Sequence, residues 1–147
     1  LVSVMTLGKP RFNKQYEWEI IRLATLINTV VVGGASKLFS AFCRENSPKS
    51  VISYADLDYA DGGVYKNLGF TFKGFSNPSY FWTSGSTVLP RYKTQKHKLH
   101  DLLGTEFDPN LSERENMQKA GFSRVFNSGN AVFVREKYAE CGFFQVV

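Results

Sequence analysis

Apolar and polar positions fall into blocks whose spacing switches between that of strands and that of helices. Leu1–Leu7 is apolar and β-prone, and Gly8–Lys9–Pro10 ends it. Glu17–Thr25 follows a polar turn and reads as a strand pairing back on the first. Val30–Val31–Val32 is a strand-like apolar run that meets Gly33–Gly34 and turns into a helix reaching about Glu45. Leu38, Phe39 and Phe42 lie three and four residues apart, which puts them on one face of that helix. Asn46–Ser47–Pro48–Lys49 stops it, and Ser50–Leu57 is a β-prone buried run. Asp61–Gly62–Gly63 breaks the chain before a short helix, Val64–Leu68, with Gly69 in the C-cap position.

Phe70–Phe75 and Ser79–Trp82 read as two strands around an Asn77–Pro78 turn. Lys93–Leu103 is predicted helical, and Ser112-x-x-Glu115 is a capping box that opens a helix to Ala120, ended by Gly121. Phe122–Phe126 and Ala131–Val134 flank Asn127–Ser128–Gly129–Asn130, a hairpin signal. The order predicts an α/β (α+β) fold: a mixed central sheet with a strand–helix–strand crossover, plus a C-terminal helix and β-hairpin appendix. Composition shifts near Gly85, so residues 1–84 read as the core and 85–147 as a basic appendix packed on the same domain.

With 147 residues, 43% hydrophobic and 21% charged, the chain is long enough for a core and too apolar to be disordered. No apolar run approaches the roughly 20 residues that span a bilayer, which argues against a membrane partner. The amino terminus has no basic n-region, so no signal peptide is read. It also opens without Met straight into strand-like sequence, as a trimmed chain or a fragment would. Cys43 and Cys141 form no C-x-x-C and read as reduced thiols of a cytosolic protein. His97 and His100 fit no zinc-finger or ribbon spacing with them, so no metal is assigned.

Two stretches carry candidate chemistry. The turn at Val32–Gly33–Gly34–Ala35–Ser36–Lys37 would present backbone N–H groups at a helix start, an arrangement that binds phosphate. It matches neither the dinucleotide fingerprint nor a P-loop, and taken alone the same residues read first as a plain tight turn. Arg91, Lys93, Lys96, His97, Lys98 and His100 crowd together with no acid before Asp101. Such a cluster suits a polyanion or is a solvated basic face; with Tyr92 able to stack, it is a candidate DNA contact.

The strand Glu19–Ala24, the glycine turn, the helix, the strand Val51–Asp56 and the run Val64–Tyr65–Lys66–Asn67–Leu68–Gly69–Phe70 together resemble the GNAT superfamily of acyl-coenzyme A-dependent N-acyltransferases. The resemblance covers about residues 1–84. It implies that Gly33–Lys37 binds the pyrophosphate of acetyl-coenzyme A or another acyl-coenzyme A. It also implies that Tyr65 protonates the departing thiolate, and that Glu19 or Asp56 is the base for the acceptor amine. The family pattern Arg/Gln-x-x-Gly-x-Gly/Ala aligns with Val30-x-x-Gly33-x-Ala35, where Val30 departs from it. The strand–helix–helix–strand with which family members usually begin is not seen ahead of Leu1.

The runs Val-Gly-Gly-Ala-Ser-Lys-Leu-Phe, Ile-Ser-Tyr-Ala-Asp, Lys-His-Lys-Leu and Asn-Ser-Gly-Asn are also similar to a module of bacteriophage proteins. There it follows nuclease domains of the very-short-patch-repair or homing-endonuclease kind. That similarity implies a DNA-processing role in the cytoplasm of a phage-infected bacterial cell, with a tethered nuclease domain upstream. The expected function is therefore an acyltransferase-type domain in that context, or else a non-catalytic DNA-binding accessory domain.

Overall fold

The computed structural model describes residues 1–136, so Cys141 lies outside the described residues. In chain order these form β1 (Ser3–Gly8), β2 (Trp18–Thr25), α1 (Gly34–Asn46), β3 (Ser50–Asp56), α2 (Gly63–Asn67), β4 (Thr71–Phe75), β5 (Tyr80–Ser84), β6 (Thr87–Pro90), α3 (Leu99–Leu103), α4 (Glu113–Lys119), β7 (Ser123–Phe126) and β8 (Asn130–Glu136). Single 3₁₀ turns occupy Arg91–Lys93, Lys96–Lys98 and Gly104–Glu106. The class is mixed α+β, as predicted: a five-stranded sheet in the order β1-β2-β3-β8-β4 and a three-stranded sheet in the order β6-β5-β7.

The chain divides into two units, Leu1–Ser76 with Asn130–Val147, and Asn77–Gly129. In the first, β1 and β2 pair antiparallel, and β2 pairs parallel with β3 through the α1 crossover. β8 runs antiparallel to both β3 and β4 and fills the space between them. The core lies where Ile20, Val51, Ala55, Ala131 and Phe133 of the strands meet Phe39 of α1 and Tyr65, Leu68 and Phe70. Phe39 and Phe70 approach to 5.3 Å between ring centres, and Phe42 meets Trp18 edge-on at 5.1 Å.

Gly62, just before α2, sits at φ 77°, and a Cβ there would lie 2.2 Å from Cε2 of Phe133. Only glycine allows that backbone against the central strand. It thereby fixes where α2 begins.

In the second unit, Trp82, Leu99 and Met117 form a fully buried core. The Ser112 capping box is present, with Ser112 Oγ accepting from Glu115 N–H and the Glu115 carboxylate accepting from Ser112 N–H. The Ser112 N–H, and after it the Ser112 hydroxyl, hold the Glu115 carboxyl below its ordinary pKa. One residue into α4, Glu113 Oε1 accepts from Tyr80 Oη at 2.9 Å, Trp82 Nε1 at 3.1 Å and Thr94 Oγ1 at 3.4 Å. Burial, then the hydrogen bond to Glu113, raises the pKa of the Tyr80 phenol.

Several sequence expectations are corrected. Val30–Val32 is not a strand: the chain turns at Asn28, at φ 58°, and the run pairs with neither sheet before the α1 junction. β4 and β5 do not pair about Asn77–Pro78, because β4 joins β8 while β5 lies between β6 and β7. Nor do β7 and β8 form a hairpin. Asn127 uses its turn-forming amide on the other passage of chain, taking Ser79 N–H at 2.6 Å, while Asn130 N–H donates to Ser76 Oγ at 2.9 Å. The expected boundary at Gly85 gives way to Ser76/Asn77 and Gly129/Asn130, since β8 belongs to the first sheet. Lys93–Leu103 is not one helix: buried Thr94 and extended Gln95 interrupt it, leaving 3₁₀ turns before α3.

Two pairs of measurements check this packing. Gly121→Ala meets open space at φ 80° and should cost about 1–2 kcal/mol of left-handed strain in urea denaturation. Gly62→Ala carries the same strain plus overlap with Phe133, adding about 1–3 kcal/mol. In alkali, Tyr80 should ionise later than a free tyrosine. A raised folded-state pKa gives stability that is complete below the unfolded value and lost as pH rises through the folded one. Glu113→Gln should bring the Tyr80 absorbance transition to lower pH.

Candidate functional site

The parallel pair at the centre of the first sheet is forked. β2 and β3 are in register at Trp18↔Val51, Glu19↔Ile52 and Ile20↔Ser53, and no further pairs continue toward Thr25 and Asp56. The cause lies on the opposite edge of β2. Thr6 faces Arg22 and Leu7 faces Ile20, so Ile21 is an extra residue, a β-bulge that bends β2 where it leaves β3. At the last paired row the buried Ser53 hydroxyl donates to Ile20 O at 3.3 Å.

A cleft of about 540 Å³ occupies the fork, lined by Ile21, Arg22 and Leu23 on one arm and Tyr54 and Asp56 on the other, with Tyr65 of α2 at its end. The carboxyl ends of parallel strands are where open α/β sheets take ligands. A second hollow of about 580 Å³ lies at the opposite end of the pair, but its Glu17 carboxylate already accepts Lys49 N–H at 2.7 Å.

Tyr65 is 8% exposed, its ring set against Phe70 at 5.9 Å and Phe133 at 5.5 Å. Among the described residues its hydroxyl has no hydrogen-bond partner, and no buried side-chain oxygen is left unpartnered, so this oxygen reaches the cleft. Tyr54, across the cleft, has its pKa raised by burial first and by the charge of Glu19 second. Asp56 is exposed, and one of its oxygens accepts Asp58 N–H at 3.1 Å.

α1 begins at the same edge of the sheet. An added Cβ at Gly34 would lie 4.0 Å from Ser3 Oγ, and Ser3 pairs with Thr25, the last residue of β2. Gly33 is the N-cap at φ 70°, with no side-chain cap and no acid in the first turn. Gly34 N–H donates to Val31 O and Lys37 N–H to Gly33 O. The N–H groups of Val32, Gly33, Ala35 and Ser36 make no backbone hydrogen bond among the described residues, so four of the six expected donors remain for an anion. Val30 and Val32 are 89% and 90% exposed beside them.

Glu19 is placed elsewhere. Its side chain is fully buried on the other face of the sheet, paired with the Gly8 and Ile52 rows, and gripped by Arg11. Arg11 Nη2 and Nε donate to Oε1 at 2.7 and 2.8 Å, and Arg11 N–H donates to Oε2 at 2.7 Å. That carboxylate anchors the β1–β2 loop and does not line the cleft, which its charge reaches only through Tyr54. The sequence carried no sign of Arg11 as its partner, because the ion pair spans an irregular loop.

Arg91, Lys93, Lys96 and Lys98 all lie in the second unit on exposed 3₁₀ turns. Among the described residues no group of three or more His, Cys, Asp or Glu could hold a metal, and no helix is long and apolar enough to cross a membrane. No protein-family model matches the chain, and no curated protein matches it.

Arg11→Met should cost about 3–5 kcal/mol in urea denaturation, because it strands a buried carboxylate. The double variant Arg11→Met with Glu19→Leu should recover most of that loss.

Proposed function

We propose that the first unit is a GNAT-like acyltransferase module that binds an acyl-coenzyme A across the forked strands. The observation that carries this reading is the conjunction at one sheet edge of an uncapped α1 N-terminus and a cleft ended by the unpartnered Tyr65 hydroxyl. The order of strand, glycine junction, helix, strand and Tyr65 helix also agrees with the resemblance in sequence.

In this reading Val32, Gly33, Ala35 and Ser36 N–H groups hold the pyrophosphate, with Lys37 adding positive charge to the first turn. The acceptor amine attacks the acyl carbonyl: a C–N bond forms, the C–S bond breaks, and Tyr65 gives its proton to the sulfur. A phenol, with a pKa near 10, is well matched to a thiol for that transfer. Asp56, which faces the cleft, takes the amine proton in place of Glu19. The wider context proposed is DNA processing in the cytoplasm of a phage-infected bacterium, beside a tethered nuclease domain.

Ser36→Glu separates function from folding. An acid in the first turn favours the helix dipole, so stability should hold or rise by about 0.3–1 kcal/mol. The same charge repels pyrophosphate, so calorimetric titration with acetyl-coenzyme A should lose its heat. Tyr65→Phe should keep binding while acyl transfer to an amine falls about 10²- to 10⁴-fold. Absence of heat with the unaltered chain, or equal binding by Ser36→Glu, overturns the reading.

A further inference from the structure

We propose that the second unit binds single-stranded nucleic acid, stacking a base on Phe126 and Arg124 while Arg91, Lys93 and Lys96 take the flanking phosphates. This rests on residues of Asn77–Gly129 alone and is independent of the acyltransferase reading.

The platform is a run of rings and guanidinium groups. Arg124 lies 4.8 Å from the Phe126 ring centre, 5.1 Å from Tyr80 and 5.9 Å from Trp82. Arg91 lies 5.2 Å from Tyr80, and Tyr80 meets Phe126 edge-on at 5.7 Å. Behind them Glu113 takes the Tyr80 and Trp82 hydrogen bonds, so the rings are held before any ligand arrives. Phe126 nevertheless leaves 55% of its surface in solvent, and Tyr92, next to Arg91, leaves 61%.

The charges around this platform stand outside ion pairs, although Arg91 also hydrogen-bonds Tyr80 and Lys96 acts on the Glu115 carboxyl through its charge. The ion pairs among the described residues are Arg11–Glu19 and His100–Asp101, so Arg91, Lys93, Lys96 and Arg124 face no carboxylate within ion-pair distance. Lys98 differs: its Nζ donates to Tyr92 O at 2.7 Å and holds the turn that presents Tyr92 and Lys93. It is a positioning residue, not a phosphate ligand.

An exposed ring beside free cations matches unpaired bases on a phosphate backbone. A duplex offers the same phosphates but keeps its ring faces stacked inside, which would leave Phe126 without a role. An acidic peptide would satisfy the lysines and leave the platform unused.

The test is fluorescence anisotropy of the full chain with labelled oligothymidylate and oligouridylate, repeated over a salt series. Binding at low salt should weaken linearly in log–log form as salt rises. Phe126→Ala should weaken it about tenfold with the salt slope unchanged, as expected for one lost stacking contact. Lys93→Gln with Lys96→Gln should reduce the slope by about 1–2. Phe126→Trp should keep binding and show indole quenching by the oligonucleotide, so the proposal does not hang on how Phe126→Ala folds. A preference for deoxyribo- or ribo-oligomer names the natural strand.

Three results overturn the proposal. One is no binding at low salt. Another is duplex binding as tight as single-strand binding with Phe126→Trp unquenched, which is plain phosphate attraction. The third is competition by polyglutamate as effective as by the oligonucleotide.

Discussion

One surplus residue in β2 sets up everything at the first unit's sheet edge. With Ile21 bulged against β1, β2 cannot stay in register with β3 beyond Ile20 and Ser53. The arms then part, and the backbone between them is open for a ligand instead of for its neighbour. The covalent order does the rest. A parallel pair needs a crossover helix, and that helix must start at the edge where its preceding strand ends. Fork, cleft and α1 N-terminus therefore coincide by geometry, and Gly62 sets Tyr65 at the same place by letting the chain press against Phe133.

Each unit also uses one carboxylate as a fastener, fully buried Glu19 in the first and half-buried Glu113 in the second. Glu19 draws three donors from a single arginine and ties an irregular loop to the sheet. Glu113 draws three neutral donors to one oxygen and ties a helix to two strand aromatics and a threonine. Neither is an acid–base group at a surface. Their value lies in direction: a carboxylate that takes three donors at once fixes the segments around it in one arrangement.

Local signals in the sequence translated well into local structure. The α1 stripe, the buried β3 run, the left-handed Gly69 just past the Leu68 C-cap of α2 and the Ser112–Glu115 box all depend on residues within a few positions of one another. Failures came where pairing is decided at a distance. Val30–Val32 has the composition of a strand but joins neither sheet. Asn127–Asn130 has the composition of a hairpin turn, and Asn127 Oδ1 takes Gly129 N–H, yet Asn127 and Asn130 also bond to residues about fifty positions earlier. For the site, the glycine junction and Tyr65 were visible as motifs. The Ile21 bulge, the Arg11–Glu19 pair and the stacking of Arg124 on Tyr80 and Trp82 were not, since each exists only once separate segments are brought together.

The position of β8 has a consequence for how the chain comes to be folded. This strand fills the gap between β3 and β4, yet all of Asn77–Gly129 is synthesised before it. On a ribosome, β3 and β4 emerge early and wait with open edges, while the second unit, whose contacts are closer in sequence, can fold ahead of them. Completion of the first sheet is thus a late, long-range closure. Until Asn130–Glu136 arrives, the edges of β3 and β4 are exposed to pairing with any other strand that comes near.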